Sequence, residues 1–107
     1  MTMVPLTLTI SDEDGSWRLA GELTFAFLSR EYNLLARQFP TQGKWVLNCK
    51  ALTRVDTSGA AFLLSCIRHA NRLSLDLKIV SIHTPLVNLM KAQGVWELFT
   101  PYLEKVI

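Results

Sequence analysis

The strongest constraint on the fold is a regular change of hydrophobic period along the second half of the sequence. Residues 44–49 and 77–82 are short runs rich in strand-forming side chains. Each run is followed by a segment with the pattern of a helix, at about 57–73 and 85–93. Strands that alternate with helices in this way are typical of a sheet whose parallel strands are joined by helical crossovers. We therefore expect an α/β fold.

The first half of the sequence adds a hairpin and another helix. Residues 6–21 contain two runs that alternate apolar and polar side chains around a polar turn, which predicts a β-hairpin. Thr24 is expected to cap a helix over residues 25–39, and Pro40 ends it. The predicted core face of this helix consists of Phe25, Leu28, Tyr32, Leu35, Ala36 and Phe39.

Two Thr-Pro pairs indicate helix starts near the C-terminus. Thr84 is expected to be an N-cap with Pro85 as the first helical residue, and Gly94 ends that helix. A second pair at Thr100 predicts a short final helix. The predicted order is β-β-α-β-α-β-α-α, in a single domain over residues 1–107 with a mixed sheet of about four strands covered by helices.

Composition excludes several classes of protein. The chain has 107 residues, of which 50% are hydrophobic and 19% charged, so it is too apolar for a disordered segment. The longest nearly apolar run, residues 59–67, is too short to cross a bilayer. The N-terminus lacks the pattern of a secretory signal, so we expect a cytoplasmic protein. Basic residues are scattered, which gives no indication of nucleic-acid binding.

The most informative segment is Asp56-Thr57-Ser58-Gly59, between a strand and an apolar helix. A helix N-terminus favours anions, so a phosphate on Thr57 or Ser58 would be held there or would change how a partner docks. The same residue types are ordinary helix caps, and Asp56 is also a candidate for satisfying backbone amides at the turn. Spacing leaves both interpretations open. Gly59 is costly in a first helical turn, which favours a close backbone contact there.

The helix after this motif carries two apolar lines. Its core face consists of Ala60, Leu63, Leu64, Ile67 and Ala70. A second line either contacts a neighbouring helix or forms an exposed strip for a protein partner. The off-core side chains are Phe62, Cys66 and Leu73 on this helix, with His69 and Ser58 on the same side, and Phe27 and Leu34 on the preceding helix.

The sequence from Arg54 to Leu64 resembles the signature of STAS domains, the fold of bacterial anti-anti-sigma factors and of sulfate-transporter tails. The turn Gly21-Glu-Leu-Thr-Phe25 and the element order also fit, so the resemblance covers nearly the whole chain. Within this family the sequence is most similar to the MlaB type. This implies a non-enzymatic subunit that binds and supports the cytoplasmic ATPase of a phospholipid-transporting ABC complex (Mla type, outer-membrane lipid asymmetry), at the inner face of the inner membrane.

The resemblance also implies a site. Thr57 matches the usual phospho-acceptor position, at or beside the partner interface, and Ser58 is the less favoured acceptor. The alternative function is that of an anti-anti-sigma factor (anti-sigma factor antagonist), which binds a serine kinase and is switched off by phosphorylation of either hydroxyl. The predicted partner interface consists of Arg54, Asp56, Thr57, Ser58, Phe62, Cys66, His69 and His83.

The remaining reactive side chains give little indication of catalysis. Cys49 and Cys66 lie in apolar segments and are expected to be buried, reduced thiols. His69 would lie about 18 Å along the helix from Thr57, too far to act as its base, and His83 is expected in a loop beside the docking surface. Two isolated histidines and isolated glycines provide neither a metal-ligand set nor a phosphate loop. We therefore expect no catalytic residue, metal or cofactor.

Overall fold

The computed structural model describes residues 3–11 and 15–104, which form a four-stranded sheet and four α-helices. The strands are β1 (Thr7–Ile10), β2 (Ser16–Leu23), β3 (Lys44–Val55) and β4 (Asp76–Val80). The helices are α1 (Phe25–Arg37), α2 (Thr57–Leu73), α3 (Thr84–Ala92) and α4 (Trp96–Phe99). The predicted element order is confirmed. The short helix expected at Thr100 is a 3-10 turn, Thr100–Tyr102, that continues α4.

The strands have the spatial order β1-β2-β3-β4 in a mixed sheet. β1 and β2 form the predicted antiparallel hairpin, in which Leu8 pairs with Leu19, whereas β2, β3 and β4 are parallel. The predicted hairpin turn falls around residues 12–14, which lie outside the described residues. Parallel neighbours need a crossover connection, and α1 and α2 supply it. Because a helix follows each of the three parallel strands, the N-termini of α1, α2 and α3 lie at the same end of the sheet.

One face of the sheet carries the core. Along β3 the side chains of Trp45, Leu47 and Cys49 are buried, while Lys44 and Lys50 are exposed. This alternation is typical of a strand with one covered face. α2 contacts α1, α3 and α4, so the helices form a layer over the covered face.

β3 is longer than predicted. The hydrophobic run predicts a strand that ends at residue 49, whereas the strand continues to Val55. The added part mixes exposed polar side chains, such as Lys50 and Arg54, with the buried Leu52, so the continuous run of strand-forming residues ends before it. Its backbone nevertheless pairs with β2. As a result, Asp56 alone separates β3 from α2.

Two helix caps differ from the prediction. Thr24 precedes α1, but its hydroxyl makes no cap hydrogen bond and is buried without a partner among the described residues. α3 begins one residue earlier than expected, so His83 occupies its cap position and Pro85 lies in its first turn. The N-cap of α2 is Asp56. Gly94 has a φ of +71° and follows α3, which confirms the predicted helix end.

The two thiols are free and buried, as predicted for Cys49 and Cys66. Burial raises the pKa of Cys49 to about 12. The pKa of Cys66 is also raised, mainly by burial and to a smaller extent by the charge of Cys49. Both thiols are therefore protonated at neutral pH. Among the described residues, no helix is long and apolar enough to cross a membrane, and no group of three His, Cys, Asp or Glu side chains is placed to hold a metal ion.

Candidate functional site at the N-terminus of α2

The carboxylate of Asp56 joins the N-termini of α1 and α2. Oδ1 accepts the backbone N–H of Gly59 at 3.1 Å, which is the N-cap bond of α2. Oδ2 accepts the N–H of Phe25, the first residue of α1, at 3.0 Å. A negative charge is favoured at each helix N-terminus, so one side chain stabilises two helix starts and their relative position. The interpretation in which Asp56 satisfies backbone amides is confirmed, and one of those amides belongs to a neighbouring helix.

Gly59 lets α2 start close to the end of β2. A Cβ atom at this position would collide with the carbonyl oxygen of Leu23 and would lie 2.6 Å from Cγ1 of Val55. The same Leu23 carbonyl accepts the N–H of Asp56 at 3.4 Å. The predicted close backbone contact is therefore confirmed, and it is made with the chain's own strand.

Thr57 and Ser58 are the motif residues that remain for contacts outside the chain. Thr57 is the exposed first residue of α2, and Ser58 is half-buried beside it. Neither hydroxyl makes a hydrogen bond with a described residue. Asp56, by contrast, has both carboxylate oxygens engaged. The motif therefore divides into residues that hold the backbone and residues that face outward.

Within residues 15–104, three hollows surround the start of α2. The first, of about 350 Å³, lies between α1 and α2, and its lining includes Phe25 and Ser58. The second, of about 270 Å³, lies between the end of β3 and the start of α3 and includes Arg54 and His83. The third, of about 120 Å³, includes Thr57 and residues of the turn after α3. The outward-facing hydroxyls thus lie on a surface with depressions that a partner's side chains can fill.

The site therefore consists of a capped helix that starts directly after a central parallel strand. The sequence that forms it also matches a known protein family. A family model described as "Mlab, STAS domain" matches residues 6–100 of the sequence. The chain belongs to the STAS-domain family. Within it, the chain is most like MlaB, as the resemblance in the sequence predicts. No curated protein matches the sequence significantly.

Two solved structures share the fold of this STAS domain. A sulfate transporter family protein from Wolinella succinogenes superposes with a TM-score of 0.64 at 13% identity, covering 89% of this chain and 79% of that one. The murine solute carrier 26 family member A9 anion transporter, in its inward-facing state, also has a TM-score of 0.64, at 16% identity. That alignment covers 100% of this chain and 21% of the transporter. At these identities the likeness shows the fold alone.

Arg54 and His83, two of the predicted interface residues, lie in the same hollow of this STAS domain. Nε2 of His83 donates to the carbonyl oxygen of Lys50 at 3.0 Å, since a carbonyl can only accept, and this bond orients the ring. Arg54 is exposed at the end of β3. The fold brings the two side chains together from separate elements. Their contact with a partner stays a prediction.

Of the two interpretations of the second apolar line, the exposed strip is wrong for Phe62 and Cys66, which are also residues of the predicted partner interface. Phe62 is 2% exposed and Cys66 is 0% exposed, so neither reaches a partner. The ring of Phe62 packs against Tyr32 of α1 and against Phe39, with centroid distances of 6.1 Å in both cases. The alternative interpretation, contact with a neighbouring helix, is therefore correct. Leu73 is the member of this line that reaches the surface, at 39% exposure.

His69 also contributes to the fold more than to the surface. Its Nε2 donates to the carbonyl oxygen of Pro40 at 2.7 Å, and its Nδ1 accepts from Nη2 of Arg72 at 3.2 Å. These roles follow because a carbonyl only accepts and a guanidinium only donates. The ring packs on Phe39 at a centroid distance of 5.1 Å. With both ring nitrogens bonded within the chain, His69 is poorly placed for the predicted partner contact.

Two aromatic residues beside the motif are exposed, although the sequence predicts them in the core. Helical spacing assigns Phe25 and Tyr32 to the core face of α1, yet they are 55% and 40% exposed. Both line the hollow next to Ser58. Leu28 and Leu35, from the same predicted stripe, are buried. Helical spacing alone does not distinguish the exposed members of this stripe from the buried ones.

Proposed function

We propose that this chain is a non-enzymatic STAS subunit that binds and supports the cytoplasmic ATPase of a phospholipid-transporting ABC complex of the Mla type, which serves outer-membrane lipid asymmetry. The family match over residues 6–100 supports this class of subunit. The protein then reaches the inner face of the inner membrane through its partner, without inserting into the bilayer. The proposal treats residues 1–107 as one STAS domain.

The observation that carries the proposal is the outward position of Thr57. Asp56 and Gly59 are engaged with the chain's own backbone, whereas the Thr57 hydroxyl is exposed and unbonded among the described residues. Hollows that contain Phe25 and Arg54 lie on the two sides of the helix start. A protein that fills these hollows covers Thr57 at the centre of the contact. Central, desolvated positions dominate the free energy of binding.

Thr57→Glu separates binding from folding. A carboxylate in the first turn of α2 is favourable for the helix, so the variant is expected to fold. The added charge and volume lie at the centre of the proposed contact, where we expect the affinity to fall at least about tenfold. The measurement is titration of the purified ATPase encoded in the neighbouring transport operon, with ATP hydrolysis followed in parallel.

Thr41→Glu is the matched control for this experiment. Thr41 is exposed and precedes β3, at the opposite end of that strand from the motif. The control is expected to bind the ATPase like the wild type. A wild-type chain without affinity for the ATPase would refute the proposed function. Equal affinity of Thr57→Glu and the wild type would refute the docking site.

The accessibility of the Thr57 hydroxyl also supports the second function, an anti-anti-sigma factor switched by phosphorylation. A phosphate on Thr57 or Ser58 would lie at the N-terminus of α2, where the free N–H groups and the helix dipole stabilise it. The test is incubation with ATP and the anti-sigma serine kinase of the same organism, followed by mass measurement. A phosphate that appears on the wild type but not on the double variant Thr57→Val, Ser58→Ala favours this function. An unmodified chain contradicts it.

A further inference from the structure

The hollow between α1 and α2 continues along both helices, away from the motif. A further hollow, distinct from the three around the start of α2, has a volume of about 370 Å³ and is lined by Tyr32, Ser65, Arg68 and Arg72 among others. It shares Tyr32 and Ser65 with the hollow next to Ser58. We call the two together the α1–α2 groove. From Ser58 to Arg72 it follows α2 for about 21 Å, the length of a helix of about four turns.

The two ends of the α1–α2 groove differ in chemistry. The end next to the motif has no charged residue in its described lining and presents the exposed rings of Phe25 and Tyr32. The other end presents Arg68 and Arg72, which are exposed and form no ion pair with a described residue. No acidic residue lines the groove at either end among the described residues. The groove therefore complements a segment that is apolar at one end and acidic at the other.

We propose that the α1–α2 groove binds an acidic amphipathic helix of the protein partner. Apolar side chains of that helix pack on Phe25 and Tyr32, and carboxylates about two turns further along pair with Arg68 and Arg72. A groove between two helices suits a third helix, and aromatic residues and arginines are the side chains that dominate protein interfaces. The inference rests on the proposed function, because the same partner that covers Thr57 continues into the groove.

The shape of the groove favours this occupant over a lipid surface. The short side chains of Ser58, Ala61 and Ser65 lie along α2 within the groove, so it is concave between the two helices. A flat bilayer cannot enter such a depression, whereas a helix can. The guanidinium groups also suit carboxylates, because each can donate two parallel hydrogen bonds to one carboxylate.

A peptide pair tests the groove directly. The probe is a labelled helical peptide of about four turns, with leucines in its first two turns and glutamates in its last two. The matched peptide has lysines in place of the glutamates. We expect fluorescence anisotropy to show binding of the acidic peptide. The double variant Arg68→Glu, Arg72→Glu should bind it at least about tenfold more weakly and should gain affinity for the lysine peptide.

The control is the double variant Lys50→Glu, Lys78→Glu. It makes the same change of charge at exposed residues of β3 and β4, which do not line the groove. Its affinity for the acidic peptide should equal that of the wild type. Phe25→Ala should weaken the binding of both peptides. Circular dichroism confirms that each variant is folded. Equal binding of the two peptides by the wild type, or no effect of the arginine variants, would overturn the proposal.

The ATPase provides the second measurement and separates the two proposals. If Thr57→Glu abolishes the complex but Arg68→Glu, Arg72→Glu leaves it intact, the groove proposal fails and the proposed function stands. If the acidic peptide binds as expected and the ATPase does not, the proposed function fails and the groove remains a binding site. Binding to anionic phospholipid vesicles through the same arginines, or a concentration-dependent dimer lost in the arginine variant, would overturn the choice of partner.

Discussion

For the substitution Gly59→Ala, helix propensity and tertiary packing predict opposite changes in the free energy of unfolding. Propensity predicts stabilisation by about 1 kcal/mol, because Gly is unfavourable in a helix. Packing predicts the reverse, because the new Cβ would collide with the Leu23 carbonyl oxygen and would lie 2.6 Å from Cγ1 of Val55. Overpacking costs about 1–3 kcal/mol. Displacing the carbonyl weakens its bond with the Asp56 N–H, at about 1 kcal/mol. The expected net loss is about 1–3 kcal/mol.

Thermal unfolding followed by circular dichroism measures this loss. For a domain of this size, about 1 kcal/mol corresponds to about 4 °C, so the Tm should fall by about 4–12 °C. The matched control is Asn33→Ala, which introduces the same residue at an exposed position of α1 and should stabilise the protein by about 0.5 kcal/mol. A Tm for Gly59→Ala at or above that of the wild type would refute the close contact.

Two further predictions concern buried or engaged side chains. Asp56→Ala removes the acceptor of both helix starts and should lower the free energy of unfolding by about 2–4 kcal/mol, measured by urea denaturation. Asp56→Asn keeps one acceptor oxygen and should lose about half as much; equal losses would contradict the two-helix contact. For Cys49, burial raises the pKa in the folded state to about 12, above the ordinary value of 9.0. The unfolded chain therefore releases a proton that the folded chain keeps. Stability should fall between about pH 9 and 12, by up to about 1.4 kcal/mol per pH unit. Cys49→Ala should reduce this slope, and an unchanged slope would contradict the cause.

The element order is predictable because the spacing of apolar residues within each segment indicates whether it is a strand or a helix. The alternation in β2 and the helical stripes of α1 and α2 arise from neighbouring residues, and no tertiary contact is needed to detect them. The end of β3 is different. Its last residues, from Lys50 to Val55, are strand because β2 lies beside them and pairs with their backbone. Polar residues interrupt the apolar side chains of this segment, so its backbone pairing is not evident from the sequence.

The candidate site shows the same division. The resemblance of the motif to STAS domains is enough to single out Thr57 and Ser58, and the structure places both at the start of α2. The motif does not reveal that Phe62 is covered while Phe25 is exposed. A helical stripe gives the angle between side chains around one helix, but burial depends on which neighbour covers that angle. α1 covers Phe62, and nothing described covers the ring of Phe25.

Local sequence information therefore accounts for the α/β class, for the starts of α1, α2 and α3 to within about one residue, and for the family of this protein. Tertiary contacts account for the second bond of Asp56, since the Phe25 N–H lies 31 residues away along the chain. They also account for the hollow that both Arg54 and His83 line and for the α1–α2 groove. The physical reason is that periodicity and capping act over a few residues, whereas hollows and shared acceptors exist only where distant segments meet.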